Sequence, residues 1–370
     1  MRLSSFVLLL ASAFLLCSTD AQALPRFAAE TGSKCQSCHI NPSGGGMRNA
    51  FGAQFGREEL PVPGWSEDSG LEDLSKLLPS FLGIGADFRT LYIVRQIPDS
   101  SSAGSHMDNE FFQMQGDIYF NFRIAKKINL YFMKGLYSGF EAYGLLHVLP
   151  LAGHVKIGKF IPNYGLRMDD HTAFIRKYTG FSPETGRPEI TGLEAAVAPG
   201  PVVIGAGVYN AADGFGATGG SEKAFLGRIE GMFGLTEKAF LGLGANVFRR
   251  TQASGSVTLY GGFGTIGLGR LTVIGEGDFL RNATPTGITT GVVLYGEANY
   301  TVVDGVDLKV AYDFYDPDKN LKTGATSRYS IGAEFFPISG VEVRPMYRIV
   351  KEDPTDLKNN EFHLLFHIYL

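Results

Sequence analysis

From about Phe81 to the C-terminal residue, apolar and polar side chains alternate along the chain with a period of two. One face of residues 306–315 carries Val306, Leu308, Val310, Tyr312 and Phe314. The opposite face carries the charged residues Asp307, Lys309 and Asp313. This period is typical of a β-strand with one side in an apolar medium and the other side in a polar one.

The same alternation recurs in residues 271–280, 341–350 and 361–370. The polar faces of these segments carry Glu276, Asp278, Glu342, Arg344, Arg348, His363 and His367. We count about sixteen strands, which predicts an all-β fold, a transmembrane antiparallel β-barrel with a wet lumen. The 48 glycines and 28 phenylalanines suit the tight turns and aromatic girdles of such a barrel. The alternative is a soluble β-sandwich or a periplasmic barrel.

The predicted connections alternate in length. Short turns are expected near residues 125–126, 151–152, 199–200, 235–236, 267 and 304–305. Longer links are expected at residues 98–108, 162–187, 211–221, 315–326 and 351–359. Short periplasmic turns and long external loops produce this alternation, with both termini in the periplasm. The longest link, 162–187, would be the third external loop, which often folds inward and constricts a porin.

The N-terminal residues indicate export. Arg2 precedes an apolar run at 6–16 and a small-residue pattern, Ala21-Gln22-Ala23, which predicts a signal peptide over residues 1–23. Residues 24–79 then form an N-terminal segment, and residues 80–370 form the barrel in the bacterial outer membrane. Beyond the signal peptide, no apolar run reaches the ~20 residues of a membrane-spanning helix. The net charge of -4 and the lack of a basic stripe argue against a nucleic-acid partner.

The N-terminal segment contains the sharpest chemical motif, Cys35-Gln36-Ser37-Cys38-His39. Two thiols at this spacing can form thioethers to one porphyrin, and the adjacent imidazole can bind its iron, so one haem c is expected here. A thioredoxin-like redox pair would need a βαβ context, structural zinc would need a fourth ligand, and a plain disulfide would leave His39 as a coincidence. The haem would lie on the periplasmic side or in the barrel lumen.

The second axial ligand of this haem is open. Met47 is a candidate because it lies in the same segment, and its alternative role is to pack beside the porphyrin. Other candidates lie in the barrel: His106, Met107, His154, Met168, His171, His363 and His367.

Residues 24–39, which read LPRFAAETGSKCQSCH, and the following RNAFG at 48–52 and FG at 55–56 resemble the fused monohaem cytochrome-porins of the outer membrane. The resemblance covers about the first forty residues after the signal peptide, and it implies that Cys35, Cys38 and His39 hold the haem. The best-known members of that family oxidise ferrous iron outside the cell. The NPSGGG stretch at 41–46 departs from their pattern, which leaves the substrate and the direction of electron flow open.

A bilayer core of about 30 Å separates the two compartments, so a single haem would have to lie inside the lumen to pass electrons across it. We therefore expect residues 24–79 to act as a plug. The expected partners are membrane lipid, a periplasmic c-type cytochrome and an extracellular donor or acceptor, with Fe²⁺ oxidation favoured by the resemblance. Alternatives are a solute porin with a structural or gating haem, or a barrel subunit of a larger multihaem conduit. A monomer or a trimer is compatible with the pattern.

Asp169, Asp170 and His171 fall in the longest predicted loop. Carboxylate and imidazole groups bind hard or borderline cations, so these residues are candidate sites for capture of an external cation. The alternative is an ordinary constriction loop. No catalytic residue is assigned, and the inward charges Glu276, Glu297, Glu342, Arg344 and Arg348 are interpreted as lumen polarity.

Overall fold

The chain folds into a closed barrel of sixteen antiparallel strands. The structure, a computed structural model, describes residues 26–65, 77–98, 105–136, 139–182, 188–211 and 222–370. Each strand pairs with its neighbours in the chain, and β1 pairs with β16 to close the barrel. The sequence prediction of about sixteen strands is therefore confirmed.

The strands are β1 Leu82–Pro98, β2 Ser105–Ala125, β3 Ile128–Gly135, β4 Phe140–Leu149, β5 Gly153–Phe160, β6 Ile190–Val197, β7 Val202–Asn210, β8 Lys223–Thr236, β9 Ala239–Gln252, β10 Gly255–Leu268, β11 Leu271–Thr284, β12 Gly287–Val303, β13 Val306–Asp316, β14 Thr326–Phe335, β15 Val341–Glu352 and β16 Glu361–Tyr369. Four helices are described outside the barrel wall: α1 Arg26–Thr31, α2 Cys35–Cys38, α3 Ala50–Glu58 and α4 Phe174–Thr179. None of the described helices has the length and apolar character needed to cross a membrane.

The alternation seen in the sequence separates the outer wall from the lumen. In β13, Leu308 and Val310 are 53% and 49% exposed on the outer surface, whereas Asp307 and Lys309 are buried inside. In β16, Phe366 faces outward while His363 and His367 are buried inside. The apolar side chains thus cover the outside, and the charged ones fill the interior.

Some predicted connections are displaced. Gly267 is not in a turn but inside β10, and the chain turns at residues 269–270. A Cβ atom at Gly267 would lie 2.2 Å from the Ala29 carbonyl oxygen, so this glycine gives room to α1. Likewise β8 continues to Thr236 and the turn falls at 237–238, while β2 begins at Ser105 rather than after residue 108. At the end with the long loops, two connections, 253–254 and 285–286, are as short as turns.

The N-terminal segment lies in the barrel at the end with the short turns. We call described residues 26–65 the plug. Arg26 pairs with Asp307 in β13 at 2.5 Å, and the Arg57 carbonyl accepts a hydrogen bond from Ser339 at 2.7 Å. The Tyr369 hydroxyl lies 3.5 Å from the Gly56 carbonyl oxygen. The predicted signal peptide lies outside the described residues, and of the predicted segment 24–79 only residues 26–65 and 77–79 are described.

The long connection between β5 and β6 also enters the lumen. We call its described residues, 161–182 and 188–189, the inward loop. The Tyr164 hydroxyl donates to Asp278 at 2.9 Å, and the Leu166 amide donates to Glu276 at 2.7 Å, both on β11. The inward loop therefore crosses the lumen to the opposite wall.

Candidate functional site

The two cysteines of the motif lie on α2, which α3 holds in place. Asn49 caps α3 by accepting a hydrogen bond from the Gly52 amide at 3.0 Å, and its side-chain nitrogen donates to the carbonyls of Gln36 and Ser37 at 3.1 and 2.9 Å. A Cβ atom at Gly52 would lie 2.1 Å from the Cys38 carbonyl oxygen. Only glycine therefore lets α3 pack this closely on α2.

Cys35, Cys38 and His39 line one cavity of about 270 Å³ between the plug and the inward loop. The cavity is slightly smaller than the ~300 to 1,000 Å³ found for ligand sites. Cys35 and Cys38 are not joined in a disulfide, although their spacing would allow one. The structure therefore brings together the three residues that the motif predicted.

Burial controls the protonation of these groups. It raises the pKa of the Cys35 thiol to about 12, with the Glu230 carboxylate adding to the effect. Burial, together with the positive charge of Arg48, lowers the pKa of His39 to about 4. The imidazole is therefore neutral near neutral pH, the form that binds metals. Its Nδ1 atom lies 3.3 Å from the Gly46 carbonyl oxygen. Donation from Nδ1 leaves Nε2 as the ligand atom.

The stretch that departs from the cytochrome-porin pattern forms a tight turn. His39 and Arg48 form an antiparallel bridge, and the Ile40 amide donates to the Met47 carbonyl at 3.0 Å. Gly44, Gly45 and Gly46 all have positive φ angles, from 65° to 81°. This conformation is costly for any residue with a Cβ atom.

The turn touches both the inward loop and the barrel wall. A Cβ atom at Gly45 would lie 3.2 Å from the Arg167 guanidinium, and one at Gly46 would lie 2.4 Å from the Tyr131 hydroxyl oxygen. The Tyr131 hydroxyl also accepts a hydrogen bond from the Met47 amide at 3.2 Å. The glycines thus allow the plug to reach the inward loop, so the two meet inside the lumen.

Met47 does not line the cavity of the cysteines. Its methyl group would be 2.4 Å from a Cβ atom at Gly83, so its side chain lies against β1. There it lines a second cavity of about 660 Å³ at the edge of the plug, together with Ile84 and Leu370. Met47 therefore lies outside the cavity that the cysteines and His39 share.

Arginines surround the three residues proposed for cation capture. Asp169 pairs with Arg89 at 2.6 Å and with Arg344, and Asp170 pairs with Arg348 at 2.7 Å. His171 accepts from Arg89 at 3.1 Å. Guanidinium groups thus occupy the positions that a captured cation would need, and these ion pairs anchor the inward loop to the wall.

One acidic cluster has the spacing of a metal site. Oxygens of Asp169, Glu334 and Glu342 lie within 4.8 Å of one another. Arg344 pairs with all three, at 3.2 Å to Glu334 and 2.5 Å to Glu342. Arg89 also pairs with Asp169 at 2.6 Å, and Lys309 pairs with Glu334 at 2.5 Å, so cationic side chains of the protein already compensate the cluster.

Sequence reasoning missed Asn49, Gly52 and the glycine turn as parts of the site. Asparagine directly before a helix is a recognisable capping signal, so the capping role of Asn49 could have been predicted from the sequence. The contacts of Gly52 and Gly45 depend on how the plug packs, and no local pattern reveals them.

Sixteen antiparallel strands with an inward loop after β5 define the architecture of outer-membrane porins. The chain is similar to an anion-selective porin from Comamonas acidovorans, with a TM-score of 0.56 and 10% identity over 78% of this chain and 99% of that one. It is also similar to OmpT, an outer membrane protein of Vibrio cholerae, with a TM-score of 0.57 and 12% identity over 78% and 99% of the chains.

A third similar structure is the outer membrane channel DcaP of Acinetobacter baumannii, with a TM-score of 0.56 and 10% identity over 78% and 97% of the chains. At these identities the likeness concerns the fold alone. No protein-family model matches the chain. No curated protein has a significantly similar sequence.

Proposed function

We propose that this chain is a barrel of the outer membrane that holds one c-type haem in a closed lumen and exchanges electrons across the membrane. The observation that carries the proposal is the shared cavity of Cys35, Cys38 and His39 inside the barrel. The apolar outer wall supports the membrane location, because a surface of this kind is stable only in contact with lipid.

The residues of the cavity fit a haem c. Neither cysteine is in a disulfide, so each S–H bond can add across one vinyl group of the porphyrin without a leaving group. Asn49 and Gly52 fix the helix that carries the thiols, and the Gly46 carbonyl orients His39. A haem bound there supplies one-electron transfer at its iron.

The described parts of the plug and of the inward loop narrow the lumen around this site. The plug fills the end with the short turns, and the inward loop crosses the lumen beyond it. Arg167 of the loop contacts the glycine turn of the plug, so no layer of solvent separates the two at that point. An external donor such as Fe²⁺, which the family resemblance favours, would approach from the loop end, and a periplasmic cytochrome from the turn end.

A second candidate is a solute channel in which the plug or the haem is structural or acts as a gate. The fold favours this candidate, because the similar structures include an anion-selective porin and an outer membrane channel. The contents of the lumen favour the first, because the plug and the inward loop obstruct a path for solutes. A trimer, the form named for the Vibrio cholerae protein, is compatible with either. A subunit of a larger multihaem conduit is a variant of the first candidate.

The decisive experiment measures the intact mass, haem staining and electron transfer of the full-length protein purified from outer membranes. The variant is Cys35→Ala with Cys38→Ala, and Ser37→Ala on the same helix is the matched control. We expect a covalent haem in the wild type and in the control and none in the double variant. We also expect electron transfer from external Fe²⁺ to an internal acceptor in reconstituted vesicles, lost only in the double variant.

A solute channel gives a different outcome. In planar bilayers the protein would then show steady conductance for small ions, and electron transfer in the vesicles would be the same in the wild type and in the double variant. Absence of haem from the wild type would refute the proposal outright.

A further inference from the structure

The proposed haem leaves its second axial ligand to be found in the same cavity. Among the described residues that line it, the imidazole and thioether groups other than His39 belong to Met133, Met168, His171 and His367. These are the side chains that most often complete the coordination of a c-type haem. Met47, as described, faces a different cavity.

Both histidines are engaged by other groups. His367 uses its two ring nitrogens, Nδ1 with Glu342 at 3.0 Å and Nε2 with Asp87 at 2.9 Å. His171 Nε2 lies 3.1 Å from an Arg89 nitrogen, and because a guanidinium can only donate, Nε2 must accept this bond. Neither ring therefore offers the iron an uncommitted ligand atom at these positions.

Met133 lines the cavity from the barrel wall. It lies on β3, and a Cβ atom at Gly139 would lie 3.7 Å from its sulfur. Its thioether therefore packs against the connection between β3 and β4, at the end of the barrel with the long loops.

Met168 lies where the inward loop meets the glycine turn. The residue before it, Arg167, contacts Gly45 and donates to the Ile161 carbonyl at 3.1 Å. The residue after it, Asp169, pairs with Arg89 at 2.6 Å. The Met168 amide donates to the Leu166 carbonyl at 3.1 Å. The backbone is therefore anchored on both sides of Met168, which is 8% exposed and lines the cavity.

We propose that the thioether of Met168 is the distal ligand of the haem iron, opposite His39. The inference rests on the proposed haem and deepens it. The iron then joins the plug to the inward loop, and Met and His together give a higher potential than two histidines would.

The test uses the full-length, haem-bearing protein and the variants Met168→Leu and Met168→His, with Met133→Leu as the matched control. The readouts are intact mass, the sulfur-to-iron charge-transfer band of the ferric protein, and the reduction potential. We expect the band in the wild type and in Met133→Leu. We expect its loss in Met168→Leu, together with a lower potential and a new ability of the ferrous haem to bind carbon monoxide. Met168→His should stay low-spin at a lower potential.

The outcomes separate the inference from the proposed function. A wild type whose mass lacks haem overturns both. A wild type that carries haem but has no sulfur band, or a Met168→Leu variant that keeps the band, overturns the assignment of Met168 alone. Loss of the band in Met133→Leu, with Met168→Leu unchanged, would assign the ligand to Met133 instead. The band in the wild type and the behaviour of Met168→His decide the matter even if Met168→Leu fails to fold.

Discussion

Asp170 holds the inward loop against the wall, so Asp170→Asn should loosen that loop. One oxygen of its carboxylate pairs with Arg348 at 2.7 Å, and the other accepts hydrogen bonds from the Thr172 amide and hydroxyl at 2.9 and 2.6 Å. Asparagine has nearly the same shape but carries no charge. The substitution therefore removes the ion pair and retains most of the turn around Thr172.

The structure sets the size of the effect. Removal of one partner from a buried ion pair costs about 3 to 5 kcal/mol when the other charge is left alone. Asp170 also pairs with Arg328 at 3.8 Å. Without Asp170, Arg328 keeps Asp313 at 2.8 Å and Arg348 keeps Glu361 at 3.6 Å, so the remaining charges are partly compensated. We therefore expect about 2 kcal/mol, which corresponds to a roughly 30-fold larger population of the released loop.

Limited trypsin digestion of the protein in detergent measures this population. Lys177 is exposed on α4, and cleavage after it can be recognised from the fragment masses. We expect cleavage after Lys177 to be roughly 30-fold faster in Asp170→Asn, since proteolysis follows the open population when reclosing is fast. The control is Asp318→Asn, a half-buried carboxylate whose hydrogen bonds are local. Equal cleavage rates in wild type and Asp170→Asn would refute the anchoring role.

Three further predictions concern acidity, the plug and the lipid-facing wall. Burial opposes ionisation of Asp170, but Arg348 and Arg328 outweigh it and hold its pKa well below the usual range. Because the pKa is depressed, the ion pair keeps its contribution to the stability of the folded loop down to about pH 4 and loses it only in stronger acid. Hydrogen exchange should therefore show equal protection of the inward loop at about pH 7 and about pH 4. Gly46→Ala should release the plug at a lower denaturant concentration than Gly64→Ala, because both glycines have a positive φ but, of the two, only Gly46 has a close neighbour. Fluorescence emission from Trp65, the single tryptophan, reports the release. Equal midpoints for the two variants would contradict this reason. Leu308→Arg should disfavour folding into lipid vesicles by up to about 2 to 4 kcal/mol, as measured by gel mobility of folded and unfolded protein, with Leu308→Ala as control; undiminished folding would argue against lipid contact there.

Much of the barrel could be predicted because its signal is local. Alternation in residues such as Leu308 and Lys309 follows from the pleat of each strand, and it needs no knowledge of the partner strand. Turn positions were less predictable. Gly267 is a residue type typical of turns, but it lies within a strand and leaves room for α1. A glycine that allows close approach and one that allows a turn look identical in a sequence.

The site divides in the same way. The motif of Cys35, Cys38 and His39 is contiguous, so its shared cavity followed from the sequence. The surroundings of Asp170 did not, because its arginine partners lie on strands far along the chain. From sequence alone, a carboxylate awaiting a metal cannot be distinguished from one already paired with a guanidinium.

The plug forms most of its anchors with the last part of the chain. Arg26 and Asp307 are 281 residues apart, Arg57 and Ser339 are 282 apart, and Gly56 and Tyr369 are 313 apart. The first described residues therefore gain their native contacts only after nearly the whole chain has been synthesised. Contacts of such long sequence separation form slowly, so the plug should be among the last parts to gain protection as the barrel folds.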